Sequence, residues 1–163
     1  MLRFGILTVS DRSASGERED LSGPALEKII VENGWVVNVR AIVPDDKQKI
    51  RDRLIEWAGG SGVDIILTTG GTGFAPRDIT PEATSEVVDR PAPGLAEAMR
   101  SASIKITPNA MLSRAMAGIR GKTLIINLPG SPKGAVENLE IILPTLPHAV
   151  ALLVEDDKAE KSH

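Results

Sequence analysis

Apolar positions recur along the chain in two rhythms, short unbroken runs and longer stretches with helical spacing. Residues 4–9 form a mostly apolar run of the kind a strand buried on both faces shows, and it ends at Ser10-Asp11-Arg12. Ser22-Gly23-Pro24 opens a predicted helix with Ala25, Leu26, Ile29 and Ile30 on its apolar face and Asn33-Gly34 as its stop. Residues 35–43 predict a second strand, with Trp35, Val37, Val39 and Ala41 on one side and Asn38 and Arg40 on the other. Pro44-Asp45-Asp46 ends it. A helix of about a dozen residues follows, turning Ile50, Leu54, Ile55 and Trp57 inward, and Gly59-Gly60-Ser61-Gly62 reads as a loop.

Ile65, Ile66 and Leu67 mark a third buried strand that runs into Gly70-Gly71-Thr72-Gly73. Residues 80–88 and 94–103 predict two helices separated by Pro91-Ala92-Pro93. Residues 111–119 suit a short strand or hairpin arm, and residues 123–127 another buried strand. From about 133 to 154 a long helical pattern is bent or broken around Pro144 and Pro147. Strands alternating with helices predict an α/β three-layer sandwich, a mostly parallel sheet with helices on both faces. One domain over residues 1–154 is expected, with 155–163 a charged, frayed tail.

Composition narrows the function more than the fold. Net charge is −3, without a basic tail, and Tyr 0, Phe 2 and Trp 2 leave no platform for stacking bases, so nucleic acid is not an expected partner. Cys is absent, which removes disulfides, thiolate catalysis and cysteine metal sites together. No apolar run reaches the roughly 20 residues that span a bilayer, so no membrane contact is expected. The start, MLRFGILTVSD, lacks a small-residue cleavage site and reads as a first strand rather than a signal peptide, which makes the cytoplasm the expected location.

In sheets of this class ligands bind outside the carboxyl ends of the strands. Four polar loops fall at that edge: Ser10-Asp11, Asp45-Asp46, residues 70–78 and residues 129–132. Glycines after a strand let the backbone approach an anion, and the helix start at Thr80-Pro81-Glu82 adds partial positive charge. Arg77 can clamp phosphate oxygens, and Asp78 can hold a divalent cation. Each piece also has a plainer reading. Glycine turns are common after strands; Thr80 reads as an N-cap with Pro81 at the first helical position; Asp46 reads as a cap for its helix. Ser10-Asp11 can be a capping turn, and the 128–132 loop an ordinary strand-to-helix link. Asp45 suits a metal-facing role, since Mg²⁺ takes one or two carboxylates plus substrate phosphates. His148 reads as a partly buried helix residue and His163 falls in the tail, so base-assisted nucleophilic catalysis has no candidate. The Gly-Lys-Ser/Thr element of a P-loop is missing. Phosphoryl or nucleotidyl transfer, which relies on positioning and electrostatics, remains.

Seven motifs carry a resemblance across residues 4–154: LTVSD (7–11), SGP (22–24), VPDD (43–46), LTTGGTGFAPRDITPEAT (67–84), PGL (93–95), ITPNAMLSRAMAGIRG (106–121) and IINLPGSPKGAVENL (125–139). In this order they resemble the molybdenum-cofactor biosynthesis family, including the G domains fused in gephyrin-like proteins. The resemblance implies a homotrimer and Mg²⁺-dependent transfer of AMP from ATP to the terminal phosphate of molybdopterin, releasing pyrophosphate. Other molybdenum-cofactor biosynthesis proteins are then expected partners. It also implies roles residue by residue. Asp45 and Asp78 match the essential acidic positions, expected to hold Mg²⁺. Gly70, Gly71, Thr72, Gly73, Pro129, Gly130 and Ser131 match the nucleotide loops. Ser10, Asp11, Ser103, Ser113 and Arg114 match positions near molybdopterin. A non-catalytic molybdopterin-binding or scaffold protein of the same fold is the alternative.

Overall fold

The computed structural model describes residues 1–155, so the charged tail expected from 155 onward lies, apart from Glu155, outside the described residues. Among the described residues six strands form one sheet: β1 (Arg3–Val9), β2 (Val36–Val43), β3 (Ile65–Thr69), β4 (Arg90–Pro91), β5 (Ala117–Arg120) and β6 (Thr123–Leu128). Their spatial order is β2-β1-β3-β6-β5-β4. The first four in that order run parallel, and the β6-β5-β4 end is antiparallel. The sheet is therefore mostly parallel, as the alternating pattern predicts. The ambiguous stretch 111–119 resolves into the end of a 3-10 turn (Pro108–Leu112), an extended link, and the start of β5, the first arm of a hairpin.

Helices cover both faces, giving three layers. On one face α2 (Ser22–Glu32), α5 (Pro93–Ile104), α6 (Pro132–Ile142) and α7 (Leu146–Leu153) place Leu26, Ile30, Ala96, Met99, Leu139, Ile142 and Leu146 against Phe4, Ile6, Ile65, Leu67 and Ile126. On the other, α3 (Lys47–Gly60) and α4 (Thr80–Val87) pack Ile50, Leu54, Trp57, Ala83 and Val87 against Leu7, Val9, Ile66 and Ile125. A four-residue helix, α1 (Asp11–Ala14), follows β1 directly.

Three local expectations change. The predicted single apolar side of β2 is split: Trp35 and Val37 pack in the first core, Val39 and Ala41 in the second. The register between β1 and β2 slips by one at this point, Phe4 pairing with Val37 and Gly5 with Val39, so Asn38 is an inserted residue. An extra residue in a strand sends everything beyond it to the opposite face. Ile55 is an exposed member of α3 instead of an inward one, because Ile50, Leu54 and Trp57 already fill the buried stripe. Gly59 and Gly60 continue α3 to its end.

The segment 133–154 breaks as Pro144 and Pro147 predict, into α6, a 3-10 turn (Leu143–Thr145) and α7. By length and mean hydropathy alone the continuous stretch Pro132–Leu153 would suffice to cross a membrane, a property that reading for unbroken apolar runs does not register. Ala135, Leu139, Ile142 and Leu146 in that stretch are buried in the core of the fold.

Candidate functional site

The chain leaves β1 towards β2 on one side, and leaves β3 towards β4, at the opposite edge of the sheet, on the other. A crevice opens at such a reversal, beyond the carboxyl ends of the two strands. Here it is a cleft of about 640 Å³ lined by Val9, Ser10 and Asp11 after β1, Asp45 after β2, and Gly70, Gly71, Arg77 and Asp78 after β3. Gly130, Ser131 and Pro132 after β6 close it. The four polar loops predicted to converge do so.

The first two loops latch to each other. The Asp11 N–H donates to Asp45 Oδ2 at 3.0 Å, and the Asp45 N–H donates to Asp11 Oδ1 at 2.8 Å. Burial pushes the Asp45 carboxyl up; the carboxylates of Asp11 and Asp78 add to the rise, while the Asp11 N–H and Arg77 partly offset it. Asp46, one residue on, accepts from the Lys49 N–H at 3.0 Å and caps α3, the plainer role predicted for it. Ser10 likewise caps α1 through the Ser13 N–H, and Arg18 donates to its hydroxyl at 3.4 Å.

The glycine loop is shaped by its neighbours. Gly70 has φ +105°, and a Cβ there would sit 2.2 Å from the Val9 carbonyl oxygen. Gly71 has φ +70°, with Thr80 Oγ1 2.2 Å from its would-be Cβ. No residue with a side chain fits either position. The cap of α4 is Ile79, not Thr80; Thr80 is buried, and its hydroxyl donates to the Gly70 carbonyl at 2.9 Å. The short return from the glycine loop to the helix turns that hydroxyl onto the loop instead of onto its own first turn. Asp78 Oδ2 accepts from the Ala75 N–H at 2.9 Å. The N–H groups of Gly71, Thr72 and Gly73 have no backbone partner among the described residues, which leaves three donors for an anion.

A second cleft of about 310 Å³ lies on the other side of this loop, lined by Thr72, Gly73, Ser103, Ser113 and Pro129 among apolar Ala96, Met99, Ile106 and Leu112. Ser131 lines both clefts and caps α6 through the Gly134 N–H at 3.1 Å. In the second cleft Ser103 donates to Asn138 Oδ1 at 3.3 Å, and Arg100 donates to the carbonyls of Ser113 and Ala115.

The structure thus regroups the residues expected from resemblance. Ser10 and Asp11, expected near molybdopterin, stand with Asp45 and Asp78 in the larger cleft. Ser103 and Ser113 stand together in the smaller one, with Thr72, Gly73 and Pro129 of the expected nucleotide set. Arg114 lines neither; it reaches beneath the glycine loop and pairs with Glu82, whose carboxyl it holds below the usual range. Residue-level reading passed over Asp20, Ser22 and Thr69. Thr8 and the Gly23 N–H donate to Asp20, while Ser22 and Thr69 donate to the carbonyls of Gly130 and Pro129 at 2.7 Å. Their place at the carboxyl edge of the sheet is the signal that could have found them.

Among the described residues no three His, Asp or Glu side chains converge as a ready-made metal cage. Asp45 and Asp78 offer hard oxygen donors in the larger cleft. That donor set fits Mg²⁺, which completes its shell with water and phosphate oxygens.

A family model described as "Probable molybdopterin binding domain" matches residues 5–148. A molybdopterin adenylyltransferase of Helicobacter pylori (strain ATCC 700392 / 26695) is 45% identical over 157 residues, 94% of this chain and 88% of the relative. The molybdopterin adenylyltransferase of Escherichia coli (strain K12) is 42% identical over 142 residues, 85% of this chain and 72% of the relative. The crystal structure of the molybdopterin biosynthesis enzyme MoaB from Thermus thermophilus is 52% identical, with a TM-score of 0.90 over 96% of this chain and 98% of that one.

Proposed function

The chain belongs to the molybdopterin-binding family of molybdenum-cofactor biosynthesis, and from that membership we propose that it transfers AMP from ATP to the terminal phosphate of molybdopterin, releasing pyrophosphate. It is a nucleotidyltransferase, as are the adenylyltransferases it is 42–45% identical to. The observation that carries the reading is the pair of clefts that share the wall formed by the glycine loop and Ser131. Joining two phosphate-bearing substrates requires two sites that meet where phosphate meets phosphate. The larger, polar cleft suits ATP, with Gly71 and Arg77 in its lining for the phosphates. The smaller, more apolar cleft suits the pterin, with Ser103, Ser113 and Asn138 to orient it.

In adenylyl transfer a phosphate oxygen displaces pyrophosphate at the α-phosphorus, and catalysis is positioning plus charge stabilisation. Gly71 in the larger cleft, and Thr72 and Gly73 in the smaller, offer their N–H groups to the phosphates from either side of the shared wall. The latch between Asp11 and Asp45 keeps the β1 and β2 loops at a fixed separation. Asp45 and Asp78 would hold Mg²⁺, whose charge would offset that of the triphosphate. Ser22 and Thr69, by holding the Gly130 and Pro129 carbonyls, fix the opposite wall.

A homotrimer in the cytoplasm, handing its product to other molybdenum-cofactor biosynthesis proteins, completes the reading. Phe74, Ile106 and Met111 are 67%, 65% and 61% exposed in the single chain, apolar surface that an assembly would cover. The deciding experiment is pyrophosphate release with ATP and Mg²⁺, with and without molybdopterin. Release that depends on molybdopterin is expected; tight molybdopterin binding without release would make the protein a binding or scaffold member instead.

A further inference from the structure

Arg114 sits in the segment 113–115 with its two neighbours held from one side and itself engaged on the other. Arg100 donates to the carbonyls of Ser113 and Ala115 at 3.1 and 2.9 Å, both residues lining the smaller cleft. Arg114 faces the glycine loop. Its backbone N–H donates to the Thr72 carbonyl at 2.8 Å, its Nε to the Gly73 carbonyl at 2.8 Å, and its Nη2 to the Asp78 carbonyl at 2.6 Å. Its Nη1 pairs with Glu82. One residue therefore holds three carbonyls at both ends of the loop that carries Asp78.

We propose that Arg114 is a positioning residue for the reaction, setting the Asp78 carboxylate and the loop N–H groups from behind without touching either substrate. Because the peptide unit is planar and trans, a carbonyl drawn towards Arg114 turns the N–H of the next residue the opposite way. Holding Thr72 O thus fixes the Gly73 N–H, and holding Gly73 O fixes that of Phe74. Holding Asp78 O sets the backbone from which the carboxylate projects, at the point where Asp78 Oδ2 lies 2.9 Å from the would-be Cβ of Gly73. The Thr72 bond comes from the backbone N–H and survives any side-chain change, whereas the planar guanidinium, with five donors in a rigid fork, is what holds the Gly73 and Asp78 carbonyls together. The Glu82 pair is secondary: both side chains are about a third exposed or more, where ion pairs are screened and weak.

The inference rests on the proposed adenylyl transfer, and the test separates the two. Arg114→Ala and Arg114→Lys are compared with the unaltered protein by pyrophosphate release, by calorimetric molybdopterin binding, and by amide exchange over residues 70–79. Turnover is expected to fall about 10–100-fold in Arg114→Ala, the size of effect seen when a supporting partner of a functional group is lost. Molybdopterin affinity should move less than about 3-fold, because a positioning residue acts on kcat. Millimolar guanidinium should restore part of the lost turnover of Arg114→Ala, which a general loss of structure would not allow. Lysine supplies a single point donor in place of the fork, so Arg114→Lys should still exchange its loop amides faster; it carries the test if the alanine variant does not fold.

Unchanged loop exchange in Arg114→Lys would overturn the proposal. So would a molybdopterin affinity that falls as far as turnover, which would make Arg114 a direct contact. Failure of the unaltered protein to release pyrophosphate would instead end the adenylyl-transfer reading, leaving the exchange result to judge Arg114.

Discussion

Asp45 and Asp78 carry different burdens within one cleft. Asp45 is raised by burial and by its carboxylate neighbours, so the fold favours its protonated form. A group raised in this way contributes stability below its ordinary value of 3.8, and that contribution is lost as pH rises through the raised value. A divalent cation competes for the same charge. Its affinity, measured calorimetrically as pH is lowered, should therefore begin to fall at a higher pH than an unperturbed aspartate would give, and Asp45→Asn should remove that part of the dependence. Asp78→Asn keeps shape and removes charge. It should reduce pyrophosphate release by about 10²-fold or more while molybdopterin binding is retained, and full turnover would remove Asp78 from the site. These two residues, with Gly70, Gly71 and Ser131, were legible because each belongs to a compact local signature. Arg114, matched by resemblance to a position near molybdopterin, lines neither cleft, and its partners Gly73 and Asp78, 41 and 36 residues away, could not be read from its own motif. Ser22 was read as a helix start and as part of the SGP motif, while its acceptor is 108 residues distant.

Among the elements, those whose limits depend on local chemistry were the ones that could be read. Pro144 and Pro147 break the last helix where they stand, and Asp46 caps α3 as its position before Lys47 implies. Asp46→Ala should cost about 1 kcal/mol in denaturant unfolding, the usual loss for a removed cap. What could not be read is what depends on a neighbour. The extra residue at Asn38 is defined only against β1, and the Thr80 hydroxyl finds its acceptor only because the glycine loop folds back over α4. Gly70 joins the two kinds. Its place after β3 is evident from the pattern, but the approach of Val9 O is a tertiary fact. Gly70→Ala should destabilise the protein by about 1–3 kcal/mol, from backbone strain with the clash added, and a melting temperature within error of the parent would contradict this.

For the whole molecule, the mostly parallel sheet and the helices on both of its faces followed from alternating patterns, and the larger cleft from the four polar loops at the carboxyl ends of the strands, while the order of strands came only with the structure. The smaller cleft did not, because its wall is assembled from α5, α6, the 3-10 turn and the glycine loop, segments far apart in the chain that only the folded molecule brings together. One interaction ties the sheet's start to its centre: Arg3 donates to both carboxylate oxygens of Asp64, at 2.7 and 3.1 Å. Burial pushes the Asp64 carboxyl up, but the Arg3 side-chain and backbone hydrogen bonds outweigh it and hold it below its ordinary value. A lowered carboxyl contributes stability above its ordinary value, lost as pH falls through the lowered one. Asp64→Asn should thus be less stable than the parent near neutrality, with the gap closing in acid, as urea unfolding at several pH values would show. Light scattering at the single-chain mass would remove the proposed trimer.

The inserted Asn38 has a consequence for how this protein survives at high concentration. β2 is an outer strand of the sheet, and an open strand is a template on which another chain can add by hydrogen bonding. A bulge kinks that template against a flush approach. At the far edge β4 is only two residues long, and Pro91 has no N–H to offer. Both borders of the sheet are thereby poor nuclei for fibrils, even though its middle strands are as apolar as those of an amyloid core.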